Sequence, residues 1–129
     1  MMKRTLLAAV IALTPSFAFA DDIFGTWQTV KDDNGNYGHI KVEACGSKIC
    51  GTLIKSFKSD GSALKTDNVG KKLIWDMTNK GGGSYTGGKV YSPDRDKTYK
   101  GKIKLNGNKL TVQGCVGPIC RDGGTWSRI

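Results

Sequence analysis

The chain has 129 residues, a formal net charge of +9 and hydrophobic side chains at 38% of its positions. That is one domain's worth of chain, and its 18 glycines against 3 prolines, with no collagen-like period, exclude a fibrous or low-complexity protein. The longest apolar run is near the N-terminus and too short for a bilayer-crossing helix, so no integral membrane protein is expected.

Met1-Met2-Lys3-Arg4 is a short positive segment, residues 5–13 form the apolar run, and Ala18-Phe19-Ala20 is a small-x-small cleavage site. The pattern predicts a cleaved secretory signal over 1–20 and a single exported domain over 21–129, periplasmic in location. No cysteine follows the cut, so a lipid anchor is not expected there. Loss of Lys3 and Arg4 takes the net charge from +9 to +7.

Eight strand-like runs follow, with no sustained 3.6-residue apolar period for a helix. They cover residues 23–30, 38–45, 50–57, 72–78, 85–92, 97–105, 109–116 and 124–129. Asn34-Gly35 and Asn106-Gly107-Asn108 supply the positive φ that tight hairpins need. Residues 59–70 are the longest connection, expected as a flap with one helical turn.

Alternation is clear in three runs. Ile40, Val42 and Ala44 oppose Lys41, Glu43 and Cys45; Tyr99, Gly101, Ile103 and Leu105 oppose Lys100, Lys102 and Lys104; Leu110, Val112 and Gly114 oppose Thr111, Gln113 and Cys115. Each run has one wet and one dry face, as half-buried antiparallel strands require. The third run is irregular: Lys55 shares a parity with Leu53 and Phe57, which means a bulge or an inward lysine.

Four cysteines stand in two similar clusters, Cys45 with Cys50 and Cys115 with Cys120. An even count in an exported chain argues for disulfides over a zinc site. Three pairings are open. The turn residues inside each cluster favour the local ones, Cys45–Cys50 and Cys115–Cys120.

Eight antiparallel strands in about 109 residues form a closed up-and-down barrel or a two-sheet sandwich. A barrel pairs its first and last strands and so removes exposed edges. Gly-Thr-Trp occurs at both ends, as Gly25-Thr26-Trp27 and Gly124-Thr125-Trp126. On that reading the two indoles meet at the barrel floor, and Arg128 stacks on one of them.

Gly25-x-Trp27 on the first strand with Arg128 on the last is similar to the lipocalin signature. A longer ordered set is Gly25-Thr26-Trp27, Cys45 to Cys50-Gly51, residues 87–93, Lys97-Thr98-Tyr99, residues 110–115 and Trp126-Ser127-Arg128. It resembles the exported bacterial family known as domain of unknown function 2147, over nearly all of 21–129. The resemblance implies a lipocalin-like barrel in the cell envelope. It implies no activity, because the family's biochemical role is not established and fold alone does not settle function. The family's Asp-x-x-Asn-Pro and Arg-x-Arg-Pro elements before the fourth strand are missing here, where residues 65–77 are shorter and lack the proline. Residues 92–99 also replace the family's tighter Pro-x-x-Gly-Lys turn.

Catalytic signals are weak. The single histidine, His39, falls on the polar face of its strand, and Glu43 sits two residues from Lys41 as a surface ion pair. No serine has a nucleophile-elbow context. Asp94, Asp96 and Thr98 mimic the start of a calcium loop without its glycine and distal glutamate. Asp32, Asp33, Asn34 and Asn36 read as turn residues. No metal, cofactor or catalysis is expected.

The lysine cluster raises nucleic acid as a partner, but Tyr99 lies on the face opposite Lys100, Lys102 and Lys104, where stacking and phosphate contacts do not converge. Anionic envelope surfaces remain compatible with the charge. The reading is therefore an all-β, eight-stranded antiparallel barrel, monomeric and non-catalytic, binding a small hydrophobic or amphipathic ligand. Trp27, Phe57, Trp75, Met77 and Tyr99 are the candidate interior residues, with Lys55 and Tyr91 as polar handles at an opening. The alternative is a filled barrel acting as an interaction module, binding another envelope component through its rim and lysine face.

Overall fold

Alternating side chains and glycine turns produce eight antiparallel strands, each hydrogen-bonded to its sequence neighbour. They are β1 (Gly25–Gln28), β2 (Tyr37–Cys45), β3 (Lys48–Phe57), β4 (Lys72–Gly81), β5 (Ser84–Ser92), β6 (Lys97–Asn106), β7 (Lys109–Val116) and β8 (Ile119–Arg128). The computed structural model describes residues 21–129; the expected signal segment, 1–20, lies outside the described residues. β1 pairs with β8 through Trp27 opposite Arg128 and Gln28 opposite Ser127, and the sheet closes as a barrel. Of the barrel and the sandwich, the barrel is what forms, with no helix among the described residues.

Three tight hairpins (β2–β3, β4–β5 and β6–β7) and the N-terminal segment gather at one end, the floor. The connections 29–36, 58–71, 93–96 and 117–118 gather at the other, the mouth. Both predicted local disulfides form, Cys45–Cys50 at the floor and Cys115–Cys120 near the mouth.

The floor is built around Trp27, which is fully buried. An indole N–H left unpaired in the core is costly, and here it donates to the Ile23 carbonyl at 2.9 Å. The Arg128 guanidinium lies 4.3 Å above the Trp27 ring. Its Nη1 donates to the Phe24 carbonyl at 2.9 Å, Nη2 to the Asp22 carbonyl at 2.7 Å and Nε to Asn108 Oδ1 at 3.1 Å. Gly25 is required here twice over: its φ is +139°, and a Cβ would lie 2.9 Å from Arg128 Nη1. Deeper in, buried Tyr85 donates its hydroxyl to Asp21 at 2.5 Å, and Asn79 reaches the other Asp21 oxygen at 3.1 Å. Burial, then the Asp21 hydrogen bond and charge, hold the Tyr85 phenol well above its ordinary pKa.

Bulges give the short barrel its curvature. Opposite Ile40 and His39, β3 places Leu53 and Lys55, leaving Ile54 between them unpaired. β4 slips against β3 between Gly51 and Thr52. Gly87 and Gly88 face Gly101 alone, and a Cβ on Gly88 would strike the Trp75 carbonyl and Met77 Sδ.

Several expectations need correction. Ala44 is exposed, because β2 by then is leaving the core at its hairpin. β1 is shorter than the apolar run, while β8 begins five residues earlier than expected, carried by pairing of Cys120 with Cys115. Residues 58–71 contain no helical turn and are tied back along β3. Leu64 N–H donates to the Ser56 carbonyl at 2.9 Å, Gly70 N–H to that of Leu53 at 2.7 Å, and Leu53 N–H to that of Lys71 at 3.0 Å.

Replacing Arg128 by Ala removes a cation–π contact and three charge-assisted hydrogen bonds. We expect a loss of about 3 kcal/mol in urea unfolding, with Arg128→Lys recovering no more than roughly half of it, because an ammonium cannot bridge three acceptors in that plane. An unchanged midpoint in Arg128→Ala would show that the seam is held elsewhere.

Candidate functional site

Above the packed floor the barrel is open. A cavity of about 620 Å³ occupies the mouth half, in the range of small-ligand pockets. Its lower wall is apolar, from Leu53, Leu73, Ile74, Val90, Val112 and Trp126, with half-buried Tyr99 beside them. Gly114, which stands opposite Gly101, leaves room for the neighbouring Tyr99: a Cβ at Gly114 would come 3.0 Å from the Tyr99 ring. Higher up the lining turns polar, through Thr29, Asn36, Ser56, Thr66 and Asn68, and the rim carries Lys31, Arg95 and Arg121 among Asp32, Asp33, Asp94 and Asp122.

Arg121 owes its position to register. It stands opposite Gly114, an interior position, at a level where the barrel is already open. Among the described residues the one ion pair within 4.0 Å is Lys41–Glu43, at 3.8 Å on the outer wall as expected. The rim cations are therefore not neutralised by direct pairing with the rim aspartates. Asp32 instead accepts the backbone N–H groups of Asn34 at 2.8 Å and Asn36 at 2.9 Å, which is turn chemistry.

The seven candidate ligand residues divide three ways. Tyr99 and Tyr91 line the cavity. Tyr91 stands at the rim, where its hydroxyl donates to Asp96 at 2.7 Å; that bond raises the phenol above its ordinary pKa. Trp27 and Met77 are inside but fully buried in the floor, below the cavity. Phe57, Lys55 and Trp75 are not interior residues, and here the sequence reading is corrected. The unpaired Ile54 resets the alternation of β3, so Ser56 turns inward while Lys55 is exposed and Phe57 stacks on Tyr37 outside, ring centroids 5.0 Å apart. Trp75 pairs with exposed Lys89, next to the inward pair Ile74 and Val90, and is half-exposed on the outer wall.

Ile74, Val90, Trp126 and Arg121 line the cavity outside that set of seven, as does Leu53, whose alternation already marks it as inward. A signal for Arg121 was available. If Cys115 bonds Cys120 across a hairpin, the strand continues and places Arg121 opposite Gly114, whose parity is interior. Bulges leave no such signal, so Ile74 and Ser56 were not readable.

His39 lies on the outer wall, with Nε2 3.2 Å from Gln28 Oε1 and its ring 4.6 Å from that of Phe57. Lys55 stands opposite it, and among the described residues no aspartate lines the surface cleft that Lys55 borders. Among the described residues no group of three or more His, Cys, Asp or Glu is placed to hold a metal.

A family described as "Uncharacterized protein conserved in bacteria (DUF2147)" matches residues 25–128. No curated protein matches the chain significantly. Among solved structures, a protein of Helicobacter pylori, HP1028, described as belonging to the lipocalin family, superimposes with a TM-score of 0.67 at 23% identity, covering 83% of this chain and 82% of its own. At that identity the likeness concerns the fold.

Partial burial, and after it the charge of Lys55, lower the pKa of His39 below its ordinary value. The folded state thus disfavours the imidazolium relative to the unfolded chain. The associated stability is fully present above pH about 6.5 and declines as the pH falls below it. NMR titration of the ring protons should show His39 titrating below the usual range, and Lys55→Gln should move it upward; a midpoint unmoved by that change would remove Lys55 as a cause.

Proposed function

The chain belongs to the bacterial family DUF2147, and from its barrel we propose that it is a non-catalytic binding protein for a small hydrophobic or amphipathic ligand. The observation that carries this reading is the division of the barrel interior: a filled floor beneath a cavity of about 620 Å³. The apolar lower wall suits a hydrocarbon or ring system, while the polar rim suits a head group left near water. A completely filled barrel would have favoured the interaction-module reading instead.

Binding without chemistry fits the placement of the titratable groups. His39 and Lys55 are outside the cavity, and the aspartates that touch it lie around its exposed rim. The proposal includes export to the periplasm with cleavage after Ala20 and a working monomer over residues 21–129. The N-terminal pattern of the sequence and the two disulfides support it, since such bonds persist in oxidising compartments. Among the described residues no helix is long and apolar enough to cross a membrane.

Native mass spectrometry of protein purified from periplasm without detergent should show a chain beginning at Asp21, with a discrete added mass removed by organic extraction. Ser56→Trp fills the cavity from a half-exposed position without touching the floor. It should weaken binding of a fluorescent fatty-acid probe by about tenfold or more, since a blocked pocket loses most of its apolar contact. Equal probe affinity in Ser56→Trp and the unaltered protein would place the ligand elsewhere, and failure of any probe to bind would return the filled-module reading.

A further inference from the structure

The β7–β8 hairpin ends in four exposed residues, Val116-Gly117-Pro118-Ile119, at the mouth. Val116 and Ile119 pair across the strands and are each 66% exposed, the most exposed large apolar side chains among the described residues. Directly behind them the Cys115–Cys120 disulfide joins the two strands. A cross-linked tip holds its apolar pair in place at little further entropic cost. Isolated exposed apolar residues are ordinary; a braced apolar pair at the end of a projecting hairpin is a different arrangement.

A wall of one charge runs from beside this tip down to the β6–β7 hairpin at the floor. β5, β6 and β7 are adjacent and carry Lys89, Lys97, Lys100, Lys102, Lys104 and Lys109 with no acidic residue among them. Lys100 stands opposite Lys89 on one side and Cys115 on the other. Like charges facing each other across strands are unfavourable. Lysines often protect exposed sheet edges from aggregation, but β5–β7 are internal strands of a closed barrel and have no edge to protect.

We propose that the mouth end docks on an anionic phospholipid bilayer, tilted onto the β5–β7 side, with Val116 and Ile119 entering the interface and the lysines on the tip's side of that wall, Lys97, Lys100 and Lys102, facing the head groups. Both components of interfacial attachment are present, apolar area and matching charge. A bilayer fits better than a protein partner because the tip offers two side chains and no concave surface, far less than the roughly 800 Å² per partner of a stable protein interface. Docking in this pose brings the cavity's opening close to the lipid. The inference stands on the tip and the wall, and does not require that the cavity be occupied.

The test is flotation of the disulfide-bonded protein with vesicles of phosphatidylcholine alone or mixed with phosphatidylglycerol, at low and high ionic strength. The protein should float with the anionic vesicles only, and salt should weaken the association. Val116→Ser/Ile119→Ser leaves charge and disulfide intact and should lower vesicle partitioning about tenfold; Lys100→Gln/Lys102→Gln should lower it comparably and flatten the salt dependence. Near-UV circular dichroism and fluorescent-probe affinity, both expected unchanged, establish that the variants are folded. No binding to anionic vesicles, equal binding to neutral ones, or undiminished binding by the folded tip variant would each overturn the proposal.

Discussion

A single guanidinium joins the two ends of this chain. Arg128, one residue from the C-terminus, covers Trp27 on the first strand and bonds the carbonyls of Asp22 and Phe24 just before it. The seam between β1 and β8 has only two registered pairs, too few to hold a barrel by backbone bonding alone. Buried indole, stacked cation and capped carbonyls compensate, in a place where an unpaired carbonyl would otherwise be costly. The glycine at 25 follows from the same contact, since a side chain there would displace the guanidinium.

Once that end is sealed, the other is free to open. Trp27, Met77, Tyr85 and Ile103 are fully buried in the floor. Toward the mouth the bulges change which residues point inward, replacing large side chains with Ser56, Gly114 and the backbone around Gly123 and Gly124. Smaller inward residues and bulged strands thus accompany the cavity. Its walls grade from apolar to polar along one axis, so an amphipathic molecule would have a preferred direction inside.

Charge is distributed with equal asymmetry. The interior has no buried charged side chain among the described residues, and the lysines of β6 all lie outside while Tyr99 of the same strand lies within. This separation removes the stacking-plus-phosphate geometry that single-strand nucleic-acid binders use. It leaves a cationic outer wall next to an apolar hairpin tip, an arrangement whose partner must be sought outside the barrel.

The alternation of Ile40, Val42, Tyr99, Ile103 and Val112 determined the strands, because period-two burial is a local property of the chain. Gly25, Trp27 and Arg128 determined closure, and the cysteine spacing determined the local disulfide pairs, because each depends on residues that either end of a hairpin or seam must supply; the second Gly-Thr-Trp has no part in the seam, since Trp126 stands opposite Leu110 and lines the cavity. Tertiary structure decided which residues face the cavity. Phe57, Lys55 and Trp75 lie outside because one unpaired residue in β3 and register slips beside β4 reverse their parity. A bulge is a compromise between curvature and hydrogen bonding over the whole closed sheet, and no short stretch of sequence records where it must fall.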